Sequence, residues 1–242
     1  MIGLNSTISH QDFQDILETT SKATSVEDLI SRVRERWAIK HGSYHHIPAV
    51  GCHEYDRLNS YWSVGLSEDF ESYLKQKSSK SDPVMKTVLA AGRPFWLSEL
   101  LTHESLSDGR SQHRINLAMA NLGDGILSPL FGPFNRRGYV YLGFDNPREF
   151  YSEAFLWQMH AILQAIHVRY SVFTESLRMR VKLTEREGEV LELISFGKTN
   201  PEIGIILGIS TSTVAGHVKR IFLKLNTNDR VTAALRAQTF SL

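Results

Sequence analysis

Apolar residues recur along this chain with two different periods, and the clearer one lies near its end. Val214, Val218, Ile221, Phe222 and Leu225 fall at i, i+4, i+7, i+8 and i+11, which predicts a helix with one buried stripe. Two shorter helices precede it. Thr184 and Glu187 have the spacing of a capping box, Val190, Leu191 and Ile194 keep helical spacing, and Gly197 supplies a stop. Asn200 is expected to cap the second helix, with Pro201 at its first position and Ile203, Ile206 and Leu207 on its buried side. Gly208-Ile209-Ser210 makes a tight turn, and Ser210 or Thr211 caps the third helix, which runs to about Lys224. A short turn between two crossed helices is the helix-turn-helix arrangement.

The earlier residues mix helical and alternating patterns. Helices are expected at 8–24, with Phe13, Ile16 and Leu17 on one side, and at 26–41, with Leu29, Val33 and Trp37. Strand-like runs begin at Tyr44 and at Leu58, separated by the polar stretch from His53 to Arg57. Further helices are expected from Ser67 to Ser79, from Asp82-Pro83 to Gly92 and from about Asp108 to Leu122. Residues 126–131 and 139–144 flank a turn as an antiparallel hairpin. A long helix should start at Asn146-Pro147 and end near Leu177. Phe155, Met159, Ile162, Ile166 and Phe173 form its stripe, which Leu156, Leu163 and Tyr170 widen beyond the need of a one-sided helix. That surplus predicts a homodimer, or else a helix buried within its own domain.

The pattern as a whole predicts an α+β protein. An N-terminal α/β/α sandwich with a mainly antiparallel sheet of about five strands should span residues 1–177. A linker at 178–182 would lead to a small all-α, four-helix domain over 183–242.

Composition adds direction to this picture. The chain has 242 residues, 42% of them hydrophobic, which supports two packed cores and argues against disorder. The net charge of +1 is unevenly spread: from Arg178 onward ten Lys and Arg face six Asp and Glu, while the preceding residues have 17 against 20. The basic end is the side suited to nucleic acid. A single cysteine, Cys52, excludes an internal disulfide, and the start shows no secretory signal pattern. The longest uncharged stretch, Ala154 to Val168, is too short to span a bilayer, so a soluble cytoplasmic protein is expected.

The same residues bear on two other chemistries. His45, His46, Cys52, His53 and Glu54 could suggest a metal, but adjacent histidines on a strand point to opposite faces, and no spacing matches a zinc pattern. No metal site is expected. Ser128 and the histidines could be assembled into a catalytic site, but no nucleophile elbow, phosphate loop or metal motif is present, so no enzyme is expected.

The outer side of the third helix carries Ser212, Gly216, Lys219, Arg220 and Leu223, flanked by Ala215 and His217. It has no acid, and from Gly208 to Lys224 the charges are Lys219, Arg220 and Lys224. A helix with a small, basic outer face fits a DNA major groove; the alternative is a three-helix interaction module with a solvated basic face.

Residues 183–242 resemble the C-terminal DNA-binding domain of the LuxR/GerE family of bacterial transcription regulators. The resemblance rests on Leu183, Thr184, Arg186 and Glu187, on Gly197 to Thr199, on Glu202-Ile203, on the run from Ser212 to Leu225, and on a fourth helix after Asn228. It implies that Lys198, Thr199 and the start of the third helix at Ser212 and Thr213 hold phosphates. It also implies that Ala215 and Lys219 face bases, with Lys219 carrying most of the direct readout and His217 and Arg220 on the DNA backbone. The implied partner is double-stranded DNA with a roughly palindromic site, bound by a homodimer.

The preceding part resembles the autoinducer-binding domain of the same family over residues 8–175, through Tyr73, Asp82-Pro83-Val84, Trp96, Gly125 before a strand, and the long helix. The resemblance implies an N-acyl-homoserine lactone or another small apolar signal as ligand. An acyl amide buried in an apolar cavity must satisfy both its N–H and its carbonyl. By resemblance Asp82 would accept from the N–H, the Tyr73 hydroxyl would donate to the carbonyl, and Trp96 would form a wall. Read locally, Asp82 is also a good helix cap, and Tyr73 and Trp96 are also good core aromatics. The chain departs from the family at the tryptophan that donates to the lactone carbonyl: Asp69 stands there, beside Phe70, and Phe144 occupies a position that often carries a hydroxyl. A lactone, a different apolar molecule, or no ligand with a purely dimerising N-terminal domain are the three outcomes left open.

Overall fold

The computed structural model describes residues 6–22, 26–47, 61–76, 83–102, 122–133, 135–177 and 182–237. Two compact units part between Phe173 and Thr174. The first contains helices α1 (His10–Lys22) and α2 (Val26–Arg36), strands β1 (Ile39–Ile47) and β2 (Tyr61–Val64), and helices α3 (Glu68–Gln76) and α4 (Pro83–Ala91). Strand β3 (Phe95–Trp96), helix α5 (Leu97–Thr102), strands β4 (Gly125–Phe131) and β5 (Arg137–Phe144) and most of helix α6 (Glu153–Leu177) complete it. The second unit contains α7 (Glu185–Ser195), α8 (Asn200–Leu207), α9 (Thr211–Lys224) and α10 (Arg230–Ala237).

The five strands lie in the order β2-β1-β5-β4-β3, every neighbouring pair antiparallel. Side chains alternate between the two faces of a strand, and each face has its own core. Tyr44, Ile126, Leu130, Val140 and Leu142 pack with Ile16 of α1, Val33 of α2 and Phe155, Met159 and Ile162 of α6. Ile47, Leu127, Tyr139 and Tyr141 pack on the other face with Phe70, Val84, Val88 and Leu100 from α3, α4 and α5. This is the α/β/α sandwich with an antiparallel sheet that the pattern predicts. His45 and His46 do point apart: the His45 ring stacks on Tyr139 at 4.2 Å, while His46 faces His167 at 5.9 Å. Cys52, His53 and Glu54, and the helix expected over 108–122 as far as residue 121, lie outside the described residues.

Two boundaries differ from expectation. Helix α2 ends at Arg36, and β1 starts at Ile39 instead of Tyr44, because Ala38 takes a left-handed conformation (φ 49°) that turns the chain directly into the sheet. Pro147 opens only a 3-10 turn, Arg148–Phe150. Tyr151 is extended and pairs with Ser6, and α6 begins after Ser152, whose hydroxyl accepts the Phe155 N–H at 3.0 Å. The apolar width of α6 for which two readings were open is taken up in part inside the domain. Leu156 and Leu163 are 5% exposed and belong to the internal core, because α6 is wrapped by the sheet and by α1 and α2 together.

Two glutamines of α6 act as backbone clamps. Gln158 accepts from the N–H of Ile8 at 2.7 Å and donates to its carbonyl at 2.9 Å. Gln164 makes the same paired contact with Phe131. Each thereby satisfies a donor and an acceptor that secondary structure leaves unmade. No helix among the described residues is long and apolar enough to cross a membrane.

A ring of buried polar groups lies on the α6 side of the sheet. Arg136 is 1% exposed and donates from Nη1 to Nε2 of His46 at 3.2 Å. The Tyr44 hydroxyl sits 3.2 Å from Nδ1 of His46 and 2.9 Å from Nδ1 of His167, and Nε2 of His167 meets the carbonyl of Arg136 at 3.3 Å. Each bond finds one donor and one acceptor only if both imidazoles are neutral, with protons on Nδ1 of His46 and Nε2 of His167. Burial pushes His46 down to about 3, with the neighbouring His167 and Arg136 charges adding to the effect. Burial also pushes His167 down to about 4.

Candidate functional site

The second unit builds its helices from caps that the sequence announces. Thr184 Oγ1 accepts the Glu187 N–H at 3.3 Å, and the Glu187 carboxylate accepts the Thr184 N–H at 2.8 Å, closing the expected capping box. Gly197 has φ 77° just beyond the end of α7. The cap of α8 is Thr199, one residue before the expected Asn200, with its N–H and hydroxyl donating to Glu202 at 2.7 and 2.6 Å. The shift is possible because proline is tolerated throughout the first turn of a helix, where its missing N–H has no partner to lose. Asn200 instead accepts from Arg230 Nη1 at 3.0 Å, and the same guanidinium donates to the carbonyl of Lys198.

Helix α8 buries Ile203 and Gly204 and leaves Ile206 52% exposed, so Ile206 is not on its buried side as expected. Gly204 explains the rotation. A Cβ there would lie 2.8 Å from the Ile209 carbonyl, so the bare backbone is pressed against the turn and Ile206 swings outward. Gly208 takes φ 64° and ψ 33° as the cap of α8, and Ser210 Oγ accepts the Thr213 N–H at 3.1 Å to start α9.

Helix α9 buries Val214, Ile221 and the following Leu225 among Val190, Leu191, Ile194, Ile203 and Ala233. Its opposite side exposes Ser212, Thr213, Ala215, Lys219, Arg220 and Leu223, with Gly216 and His217 half-buried. The structure thus brings most of the sequence-derived DNA residues onto one helix face. Lys198 and Thr199 stand at the entry to α8 instead, and the Thr199 hydroxyl is already engaged in its cap. Ser210 Oγ lies 2.8 Å from the hydroxyls of both Ser212 and Thr213.

The cations of this face are not equivalent. Among the described residues Lys219 has no ion-pair or hydrogen-bond partner. Arg220 lies 3.7 Å through Nε from Glu187 and 3.0 Å through Nη2 from Nδ1 of His217. Lys224 donates to Glu187 at 2.6 Å and to the carbonyl of Lys182 at 3.0 Å. Sequence reasoning placed Glu187 only in a cap. Its capping spacing is visible, but its reach to the far end of α9 depends on how α7 and α9 pack.

In the first unit Trp96 is 4% exposed and sits on the α6 side of the sheet, 6.4 Å from Phe144 and 5.8 Å from Tyr151 between ring centres. Its neighbour Phe95 faces the opposite core. The Tyr73 side chain and Asp82, the other two sequence-derived ligand residues, lie outside the described residues. Asp69 is exposed and Phe70 is buried against α4. Ser128 Oγ meets Nδ1 of His160 at 2.7 Å, and Ser128 is fully buried.

Comparison with known proteins agrees with this geometry. Residues 181–237 match the family described as bacterial regulatory proteins, luxR family, and residues 22–170 match the autoinducer binding domain. A chain described as an HTH-type transcriptional regulator in Sinorhizobium fredii is 28% identical over 156 residues, which cover 64% of this chain and 48% of that one. The transcriptional activator protein AnoR of Acinetobacter nosocomialis is 26% identical over 179 residues, covering 70% and 72%. This chain therefore spans about half of the first relative and nearly three quarters of the second. The fold matches that of Escherichia coli SdiA with a TM-score of 0.69 at 18% identity, over 94% of this chain and 95% of SdiA. With its two matching segments in sequence, the chain belongs to the LuxR family of quorum-sensing-type transcription regulators.

Proposed function

We propose that this chain is a homodimeric regulator of the bacterial cytoplasm that binds a roughly palindromic DNA site through α9 and responds to a small apolar signal. In this reading residues 1–177 sense and dimerise, 178–182 link, and 183–242 bind DNA. The observation that carries it is the face of α9, where Ser212, Ala215 and Lys219 are exposed and no acid interrupts them. Lys219 is the base reader, and Lys198 with the hydroxyls at the start of α9 supports phosphates. Replacing Lys219 by alanine should weaken binding to a duplex selected from a random pool by about 1–3 kcal/mol. Unchanged affinity in a titration of that duplex would place the reading face elsewhere.

A dimer is supported by a different stripe of α6 from the one the sequence suggests. Trp157, Val168 and Val172 are 46%, 39% and 42% exposed at i, i+11 and i+15, beside an open groove shared with Leu17 of α1. Two such stripes facing each other would form a self-complementary contact.

A structure of SdiA holds octanoyl-rac-glycerol, which suggests acyl chains as the first ligands to test. A panel of acyl-homoserine lactones of varied chain length, with octanoyl glycerol added, is therefore matched to melting of the whole protein. Ligand at a hundred times its dissociation constant adds about 2.7 kcal/mol, a rise of several degrees. Sedimentation of the same samples reads the dimer. The burial of Trp96 and Phe144 against each other favours a second reading, an N-terminal unit that only dimerises. A flat melting response with DNA binding intact would select that reading.

A further inference from the structure

We infer that Glu187 is a positioning residue for DNA recognition, holding two cations of the reading helix back from phosphate so that Lys219 meets the groove in a fixed register. The inference rests on the DNA-binding reading above. Glu187 is 2% exposed, although it is a carboxylate at the first turn of a surface helix. One oxygen closes the α7 cap and accepts from Lys224 at 2.6 Å, and the other lies 3.7 Å from Arg220. A buried carboxylate left without its cations is strongly unfavourable. The carboxylate therefore competes with DNA phosphates for Arg220 and Lys224, which are 56% and 36% exposed and sit one turn apart on α9.

The neighbouring contacts point the same way. Arg220 is held on its second side by Nδ1 of His217, and Lys224 by the carbonyl of Lys182, so both heads are gathered toward the start of α7. Lys219, one residue before Arg220, has no such partner among the described residues. The arrangement separates a free cation that can read a base from tethered cations that fix the helix. Contacts to phosphate are indifferent to sequence, so withholding them raises the share of binding that depends on the base reader.

The test compares the full-length wild type with Glu187→Gln, which keeps an oxygen for the Thr184 N–H but removes the charge. Binding is measured to a 30-base-pair duplex of random sequence, and to a duplex that the wild type selects from a random pool, at several salt concentrations. Each cation released onto a phosphate should steepen the slope of log K against log salt by about 0.9. The expected result is a steeper slope on the random duplex by about one to two such increments, with a smaller affinity ratio between the two duplexes. The added slope should shrink when Arg220→Gln is introduced together with Glu187→Gln.

A cap with no role in recognition would give the opposite signature: weaker binding through lost folding, with an unchanged or shallower slope. That outcome, in a protein whose helical circular dichroism is intact, overturns the inference. If Glu187→Gln does not fold, Glu187→Asp carries the test, because it keeps the charge but withdraws it from Arg220 by one methylene; it should steepen the slope by a smaller amount, and no steepening overturns the inference. Failure of the wild type to bind either duplex would overturn the DNA-binding reading instead.

Discussion

Unfolding of the first unit at pH 5.0 should require roughly 4 kcal/mol less than at pH 7.5. The source is the buried ring in which Arg136, His46, Tyr44 and His167 exchange hydrogen bonds, with the Tyr170 ring also packed on His46. The histidines are held at about 3 and about 4 in the folded chain, below their ordinary 6.5. Both are bases with depressed values, so their contribution to stability is complete above pH 6.5 and is lost as pH falls, when the unfolded chain takes up protons that the folded chain refuses. At pH 5 each unfolded histidine is favoured by about 2 kcal/mol. The loss continues toward pH 4 for His167 and pH 3 for His46. His160, lowered by half-burial, acts in the same direction. All four tryptophans, at 37, 62, 96 and 157, lie in the first unit, so denaturant unfolding followed by their fluorescence isolates this effect. A stability that stays level between pH 7.5 and 5 would mean that the ring accepts a proton. His167→Gln should flatten the dependence by about half.

The second large effect is expected from Ile221→Ala. Ile221 is fully buried on the inner side of α9, within the cluster that joins α7, α8, α9 and α10. Removing three carbons from such a position typically costs about 2–5 kcal/mol, comparable with the whole stability of a domain this small. Helical circular dichroism should then show an early partial transition, while tryptophan fluorescence, blind to the second unit, keeps its wild-type midpoint. Binding to the selected duplex should be lost with the first transition. Leu223, two residues later and 73% exposed, provides the contrast: Leu223→Ala should change stability by less than about 0.5 kcal/mol. Equal effects at the two positions would contradict the inward orientation of Ile221.

Local spacing explains why the second unit was so legible. The Thr184 and Glu187 cap, the glycines at 197 and 208, and the stripe from Val214 to Leu225 are signals whose parts lie within a few residues of one another. The cap of α8 differs by one residue from the sequence expectation because threonine, asparagine and proline stand in a row there, and each suits a helix start. Periodicity places Ile206 in the core because it cannot foresee the close backbone contact at Gly204. In the first unit, the left-handed Ala38 carries no residue signal for its turn, so the sequence pattern places the start of β1 later than Ile39. Arg136 looked like part of an ordinary hairpin turn, and its burial depends on His46 and His167, which are 90 and 31 residues away. Most of the residues expected to meet DNA share one exposed face because a single helix, α9, carries them within a short span of sequence. A pocket drawn from several elements gives no comparable local pattern, and Trp96 alone can be read as core or as ligand wall.

The strands at the two borders of the sheet, β2 and β3, are four and two residues long. An unpaired border presents free N–H and carbonyl groups, and a long one invites strand addition from another molecule. Among the described residues these two border strands themselves offer few such groups, which limits strand addition along them. Self-association through helix α6 would then leave each sheet within its own protomer, a guard against strand-by-strand polymerisation when concentration rises.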